Sequence, residues 1–316
     1  MTALLRASQS NFMVISSCPS CESDRYKSVG RVAKGFEITV GNTSFHQPDY
    51  TVRKCSSCSL YYKSVILNEF EREKYYRSVG FEKWKVDRSP PSEHVLMETL
   101  RKLAPGSKIL DYGCSAGRLL SQLTTDYECF GVELNARAAE LAAKNGIRIL
   151  STLDDDDLPK NQFDAIVLSD VFEHLQAPTN FLQNLVHLLN PRGLLVLVTG
   201  NADAAIYQKD IANNWYFRNV EHLCMLSRKT ADYLAVTLRL DLMTWKEVSH
   251  GEVPAHIRVR QLLQNWLYWQ FHARPEARVT RCLGLIPKLN RARNWIAEPP
   301  IYHTKDHVVA IFQRQE

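Results

Sequence analysis

The sequence holds no apolar run approaching the ~18–20 residues that cross a bilayer, so a membrane-spanning chain is not expected. Its first 17 residues carry no long hydrophobic core of a secretory signal, which points to the cytoplasm. Strong charge is missing too. Against 34 Asp and Glu stand 39 Lys and Arg, a net charge of +5 that informs only once it is located. A G-x-G-x-x-G turn is also absent after the strand-like run at 108–112, which argues against a dinucleotide fold. The eight cysteines do not read as a disulfide scaffold, because four of them form two C-x-x-C pairs. What remains is a chain of 316 residues, 45% hydrophobic, long enough for one large α/β domain and a small extra one.

The two pairs are Cys18-Pro-Ser-Cys21 and Cys55-Ser-Ser-Cys58. Four thiolates at tetrahedral corners suit Zn²⁺ and leave no open coordination position, so a structural zinc ribbon over 18–63 is expected. The alternation of β-branched, aromatic and polar residues between the pairs predicts an antiparallel ribbon. Residues 1–17 read as a loose tail. Residues 64–104 read as a helical linker packed between the ribbon and the main domain, with helices near 68–76 and 93–103. Tyr75, Tyr76, Phe81 and Trp84 there form an aromatic cluster that serves either as a lid over a ligand or as core.

The organising stretch is 108–120, KILDYGCSAGRLL. An apolar strand ends in Asp111, passes through Gly113 and Gly117, and meets a helical pattern at Leu119, Leu120 and Leu123. The acid and the D-x-G-x-x-x-G spacing do not suit a pyrophosphate. They suit an aminoacyl-sulfonium ligand, whose ammonium pairs with Asp111 while its carboxylate faces backbone amides at a helix start. A second strand, 128–133, ends in Glu133, placed to accept two ribose hydroxyls. A helix (136–145) and a third strand (146–150) follow. Thr152 and Leu153 lie where an adenine ring would be held, and the acids Asp154 to Asp157 read as a solvated loop or helix cap in preference to a metal site.

A fourth strand, 163–169, is closed by Asp170-Val-Phe-Glu-His174. Strand C-termini are where open α/β sheets bind ligands, so Asp170, Glu173 and His174 are expected to face the crevice. His174 is the general-base candidate; the alternative is that Glu173 and His174 only hold the turn. After a helix (178–189) and a fifth strand (194–199), residues 201–215 read as helical. Trp215, Tyr216 and His222 then lie on the substrate side. A helix capped by Ser227 and strands at 240–248 and 307–312 would complete seven. Between those two strands, 255–297 holds eight Lys and Arg, one acid (Glu276) and the tryptophans 266, 269 and 295. Its uses are a dimer face, a surface receiving phosphates, a membrane-skimming helix, or plain packing over the sheet edge.

Asp111 to Gly117, Glu133, FDAIVLSDVFEHL at 163–175, PRGLLVLVTGN and EHLCMLSRKT together resemble a class I S-adenosylmethionine-dependent methyltransferase of the methyltransferase-23/11 type. The resemblance covers roughly 105–249 and 305–313. The front end, C-P-x-C with C-x-x-C-x-L-Y-Y, is similar to the ribbon preceding this domain in bacterial methyltransferases of sugar, polysaccharide and natural-product pathways. It implies a Rossmann-like, mostly parallel sheet of order 3-2-1-4-5-7-6 over 105–316. S-adenosyl-L-methionine would contact Asp111, Gly113, Cys114, Gly117, Glu133, Leu134, Thr152, Leu153, Ser169 and Asp170. Cys114-Ser-Ala116 stands where the family often has Cys-Gly-x. The large C-terminal domain of sugar C-methyltransferases has no counterpart, which points away from C-methylation of a deoxysugar.

The expected function is therefore methyl transfer, O-methylation of a sugar, glycan or other small intermediate, nucleotide- or lipid-linked versions included because phosphates need cations. His174 would take the proton, oriented by Asp170 or Glu173. Two alternatives stay open: an RNA base methyltransferase gripping nucleic acid with ribbon and basic insertion, and a non-catalytic cofactor-binding scaffold. The ribbon is not strongly basic, which weighs against RNA.

Overall fold

Short apolar segments that end in polar residues build the centre of the molecule, and a cysteine-rich ribbon packs beside them. The computed structural model describes residues 11–79, 90–150, 161–295, 298–299, 301 and 304–316. The front of the chain is all strand: β1 (Phe12–Val14), β2 (Tyr26–Val32), β3 (Phe36–Val40), β4 (Thr43–Gln47), β5 (Tyr50–Cys55), β6 (Tyr61–Lys63) and β7 (Val65–Leu67). β5 pairs antiparallel with both β2 and β6, and β3 with β4 forms a separate hairpin. The loose tail expected over 1–17 needs correcting. Phe12–Val14 pairs with Val65–Leu67, because the β7 edge would otherwise leave its backbone groups without partners; residues 1–10 lie outside the described ones.

Helix α1 (Glu69–Ser78) starts at Asn68, whose side chain accepts the Glu71 amide, and α2 (Pro91–Leu100) starts on a proline. The main alternation follows: β8 (Lys108–Tyr112), β9 (Glu128–Val132), α3 (Ala136–Lys144), β10 (Arg148–Leu150), β11 (Phe163–Ser169), α4 (Pro178–Leu188) and β12 (Leu189–Gly200). The chain ends with α5 (Trp215–Arg218), β13 (Cys224–Met225), α6 (Arg228–Leu238), β14 (Leu240–Val248), α7 (Ala255–Ala273), α8 (Arg278–Gly284), α9 (Pro287–Asn290) and β15 (His307–Arg314).

Seven strands form one sheet in the order β10-β9-β8-β11-β12-β15-β14, which is the expected 3-2-1-4-5-7-6. The first five run parallel; β15 runs antiparallel to both of its neighbours. Parallel strands covered on both faces read as continuous apolar runs, and Ala165, Ile166, Val167 and Leu168 of β11 are wholly buried. On one face Leu110, Phe130 and Leu168 meet Leu182 and Leu185 of α4 and Leu234 of α6. On the other, Ile109, Val167, Val196 and Val309 meet Val95, Leu96 and Leu100 of α2.

Three local expectations fail. After the glycine turn there is one 3₁₀ turn, Leu120–Gln122, in place of a helix. Leu119, Leu120 and Leu123 are all buried, and Thr124-Thr125-Asp126 cannot prolong a helix before β9 begins. Residues 201–215 form only the 3₁₀ turn Ala205–Gln208 before α5, because Ala202, Tyr207, Ile211 and Ala212 all go inward without a helical period. Helix α2 lies on the main sheet instead of between ribbon and sheet, since its apolar face is part of that core.

Candidate functional site

The crevice lies where β8, β9 and β11 end. Gly113 and Gly117 both have positive φ, +82° and +78°. A Cβ on Gly113 would come within 2.8 Å of Val171, and one on Gly117 within 2.1 Å of Ile147 Cδ1. Gly117 is thus required by packing against Ala142 of α3 and Ile147 just before β10 rather than by ligand approach. Cys114 is buried, and its thiol fills the space above Gly131. The amides of Gly113 and Cys114 donate to the Val132 carbonyl at 2.8 and 3.1 Å, and that of Gly117 to Cys114 O at 2.9 Å. These amides, and a helix start, were expected to face a carboxylate; they are engaged inside the turn. What the turn offers a ligand is its acids.

Glu133 holds that turn in shape. Its Oε2 accepts the Ser115 amide at 2.9 Å and its Oε1 the Asn135 amide at 2.7 Å, tying β8 to the start of α3. Each oxygen keeps a second lone pair for a hydroxyl. Leu134 beside it is 88% exposed. Asp111 lies 4% exposed at the end of β8, its Oδ1 buried with no hydrogen-bond partner among the described residues. Burial, with the Glu133 charge adding to it, lifts the Asp111 carboxyl to about 7. A buried carboxylate with an orphaned oxygen beside a second acid calls for a cation, which fits the ammonium of an aminoacyl-sulfonium cofactor. Thr152, Leu153 and the acid run after them lie outside the described residues, as do Phe81 and Trp84.

At the end of β11 Ser169 is half-buried, and Asp170 has φ +55° with its side chain 54% exposed. Glu173 is buried, its Oε2 accepting from Thr199 Oγ1 at 2.9 Å. Burial raises its carboxyl, with the His174 charge pulling the other way. His174 Nδ1 is 3.0 Å from the Glu221 carbonyl oxygen and 3.1 Å from Tyr76 Oη. A carbonyl only accepts, so this contact assigns the proton to Nδ1 and leaves Nε2 as the basic nitrogen. The His222 ring lies 5.1 Å from that of His174, buried, with Nδ1 lacking a partner among the described residues. Burial, then the neighbouring His174, pushes the His222 imidazole well below its ordinary range, so it stays neutral. One ligand atom each from Glu173, His174 and His222 lies within 4.8 Å of the others.

Two further histidines were not anticipated. His250 Nδ1 and His307 Nε2 are 3.2 Å apart, His307 Nδ1 is 3.5 Å from the buried Asp306, and its Nε2 is 3.9 Å from Asp170. Burial lowers the His307 imidazole, but Asp306, Asp170 and Glu173 outweigh it and the net shift is upward. The Trp215 ring stacks on His307 at 6.3 Å and lies 5.3 Å from His250. Because β15 runs antiparallel, its first residue pairs with Gly200, the last of β12, and so reaches the same edge as Asp111 and Asp170. The polar HTKDH before the last apolar run was the available signal. Tyr216 needs correcting as a substrate contact. It is fully buried, its hydroxyl accepts the Gly200 amide at 3.1 Å and lies 3.2 Å from Thr199 Oγ1, and a Cβ on Gly200 would strike its ring.

The four ribbon cysteines converge. Cys18 and Cys58 sulfurs are 3.4 Å apart, as are those of Cys21 and Cys55, and all four lie within 4.8 Å of one another. Tetrahedral Zn–S bonds of ~2.3 Å put sulfurs slightly under 4 Å apart, so the set fits zinc once the two short pairs open slightly. The amides of Ser57 and Cys58 already point at Cys55 Sγ, at 3.3 and 3.5 Å. The hydrogen bond from Cys58 draws the Cys18 thiol down to about 6, so one thiolate is already favoured. Cys18, Cys55 and Cys58 share the core of Leu182 and Leu226, and β13 pairs with β6, so the ribbon is built into the main core.

Residues 81–235 match a family model described as a methyltransferase domain. The chain is similar to the ubiquinone biosynthesis O-methyltransferase of Haemophilus ducreyi, at 27% identity over 154 residues, 44% of this chain and 63% of the relative. It is also similar to the protein of that name from Bradyrhizobium diazoefficiens, at 34% identity over 104 residues, 30% of this chain and 41% of the relative. The chain thus matches less than two thirds of the length of these curated relatives. Among solved structures, the YcgJ protein of Bacillus subtilis superposes with a TM-score of 0.48 at 15% identity, over 71% of this chain and 99% of its own.

Proposed function

Residues 81–235 being a class I, S-adenosylmethionine-dependent methyltransferase domain, we propose that the chain methylates an oxygen of a small acceptor at the edge lined by Asp111, Asp170 and His174. When bound, S-adenosylmethionine supplies an electrophilic sulfonium methyl group. Asp111 would hold its ammonium, Glu133 its ribose hydroxyls, and Leu134 a face of its adenine. The acceptor would lie against Trp215 and the imidazoles of His174 and His250, with the buried His222 and His307 packed behind them. His174 Nε2 would take the hydroxyl proton, with Nδ1–H fixed on the Glu221 carbonyl. Alignment of the two reactants contributes most of the rate.

The observation that carries this reading is the buried Oδ1 of Asp111, unpartnered among the described residues and beside Glu133, one strand away from the paired rings of His174 and His222. A sugar, glycan or other small biosynthetic intermediate is the proposed acceptor class, and the cytoplasm the proposed compartment. The four cysteines would hold a structural zinc. The test is formation of S-adenosylhomocysteine with a panel of hydroxyl-bearing acceptors, in wild type and His174→Ala. Turnover that depends on His174 supports the proposal; cofactor binding without turnover on any acceptor would make the chain a scaffold.

A further inference from the structure

Helix α7 presents its faces in the reverse of the usual order. Its buried positions are Gln261, Asn265, Tyr268 and Phe271. Of these Asn265 is held by Glu298, 2% exposed, which accepts from Asn265 Nδ2 at 2.6 Å, Trp269 Nε1 at 2.7 Å and Asn214 Nδ2 at 3.3 Å. On the far side Val259, Leu262, Leu263 and Trp266 are 56, 50, 56 and 44% exposed. At roughly 100° per residue these four form one stripe, with Arg258 and Arg260 on its two flanks. A helix that only covered a sheet edge would turn its leucines inward and its amides out.

The charge is on the same segment. Residues 255–295 carry eight Lys and Arg, all of them exposed, and one acid, Glu276, against +5 for the whole chain. None of the helices is long and apolar enough to cross a membrane among the described residues. We propose that this face docks on a bilayer surface containing anionic lipid. The four apolar side chains seat at the headgroup boundary, and the flanking arginines meet lipid phosphates. Charge complementarity selects this occupant, because pairing two copies of so basic a segment would set like charges against each other. The inference is independent of the methyl-transfer reading.

The test is co-sedimentation of the full chain with vesicles of phosphatidylcholine alone or with roughly 30% phosphatidylglycerol. Binding is expected only to the anionic vesicles, weaker at high salt, with a blue shift of tryptophan emission. Leu262→Asp and Arg258→Glu should each lower the bound fraction's partition constant about fivefold or more with unchanged circular dichroism. Val236→Asp, at an 83% exposed position of α6, should leave it unchanged. No binding to anionic vesicles overturns the proposal. So does binding that Leu262→Asp leaves intact, which would be charge attraction without a seat. A dimer in light scattering that Leu262→Asp dissolves, without lipid binding, would assign the face to self-association and also overturn it.

Discussion

Two residues at the crevice carry opposite protonation problems. His174 has its Nδ1 proton fixed by the Glu221 carbonyl, so its replacement by Ala should remove the proposed base. The expected loss in kcat is roughly 10²–10³-fold, with the cofactor dissociation constant unchanged; full activity would leave His174 a packing role. Asp111 is the converse case, an acid whose folded value of about 7 lies above its unfolded 3.8. The folded state holds the extra proton, so stability falls as pH rises from about 4 to 7 and is flat beyond. Asp111→Asn should then stabilise the chain at pH 8 relative to wild type, by up to about 4 kcal/mol in denaturant titration, while weakening cofactor binding. At this scale the placement of Asp111, Glu133 and His174 at strand ends and the convergence of the four cysteines were legible, because each combines a polar residue type with a fixed place at a strand end or in a knuckle. Tyr216 was misjudged because an aromatic in a loop gives no sign of whether its hydroxyl meets Gly200 or a ligand.

Elements explain why the turn has its shape. Gly117 combines φ +78° with a Cβ position 2.1 Å from Ile147 Cδ1, so Gly117→Ala meets both left-handed strain and overpacking. A loss of about 3 kcal/mol is expected, read as a lowered denaturation midpoint, with cofactor affinity falling in parallel as α3 shifts from Glu133. Strand order was readable from the alternation of apolar runs and helical periods. The 3₁₀ turn at Leu120–Gln122 was not, because three leucines at helical spacing look alike whether they continue a helix or close a single turn over the sheet. His307 escaped notice for a topological reason. A residue at the start of a strand belongs to the ligand edge only if that strand runs antiparallel, as β15 does. His250 follows the C-terminal end of β14, which the strand-end rule does cover, and was passed over. The outward stripe of α7 was equally hidden, since periodicity marks an apolar face without saying which side the polar network around Glu298 will hold inward.

For the molecule as a whole, the ribbon and the sheet share one core. Cys18, Cys55, Cys58, Leu60 and Tyr62 pack in the same cluster as Leu182, Leu226 and Leu234. A strong chelator should therefore lower the thermal midpoint of the entire chain in one transition, seen by calorimetry, instead of melting a separate small domain. Two transitions, or no change, would mean that the four cysteines bear no load on the sheet or hold no metal. The central claim is that Asp111 and Glu133 form the cofactor's seat. It is tested by calorimetric titration of the full chain with S-adenosylmethionine at pH 6 and pH 8. Only the ionised Asp111 attracts the ammonium, and the ligand's own amine begins to lose its proton near pH 8, so affinity should rise about fivefold between these values, and Asp111→Asn should abolish that rise. Glu133→Ala should weaken binding at both. Equal affinity at the two pH values, unchanged by either substitution, would contradict the account.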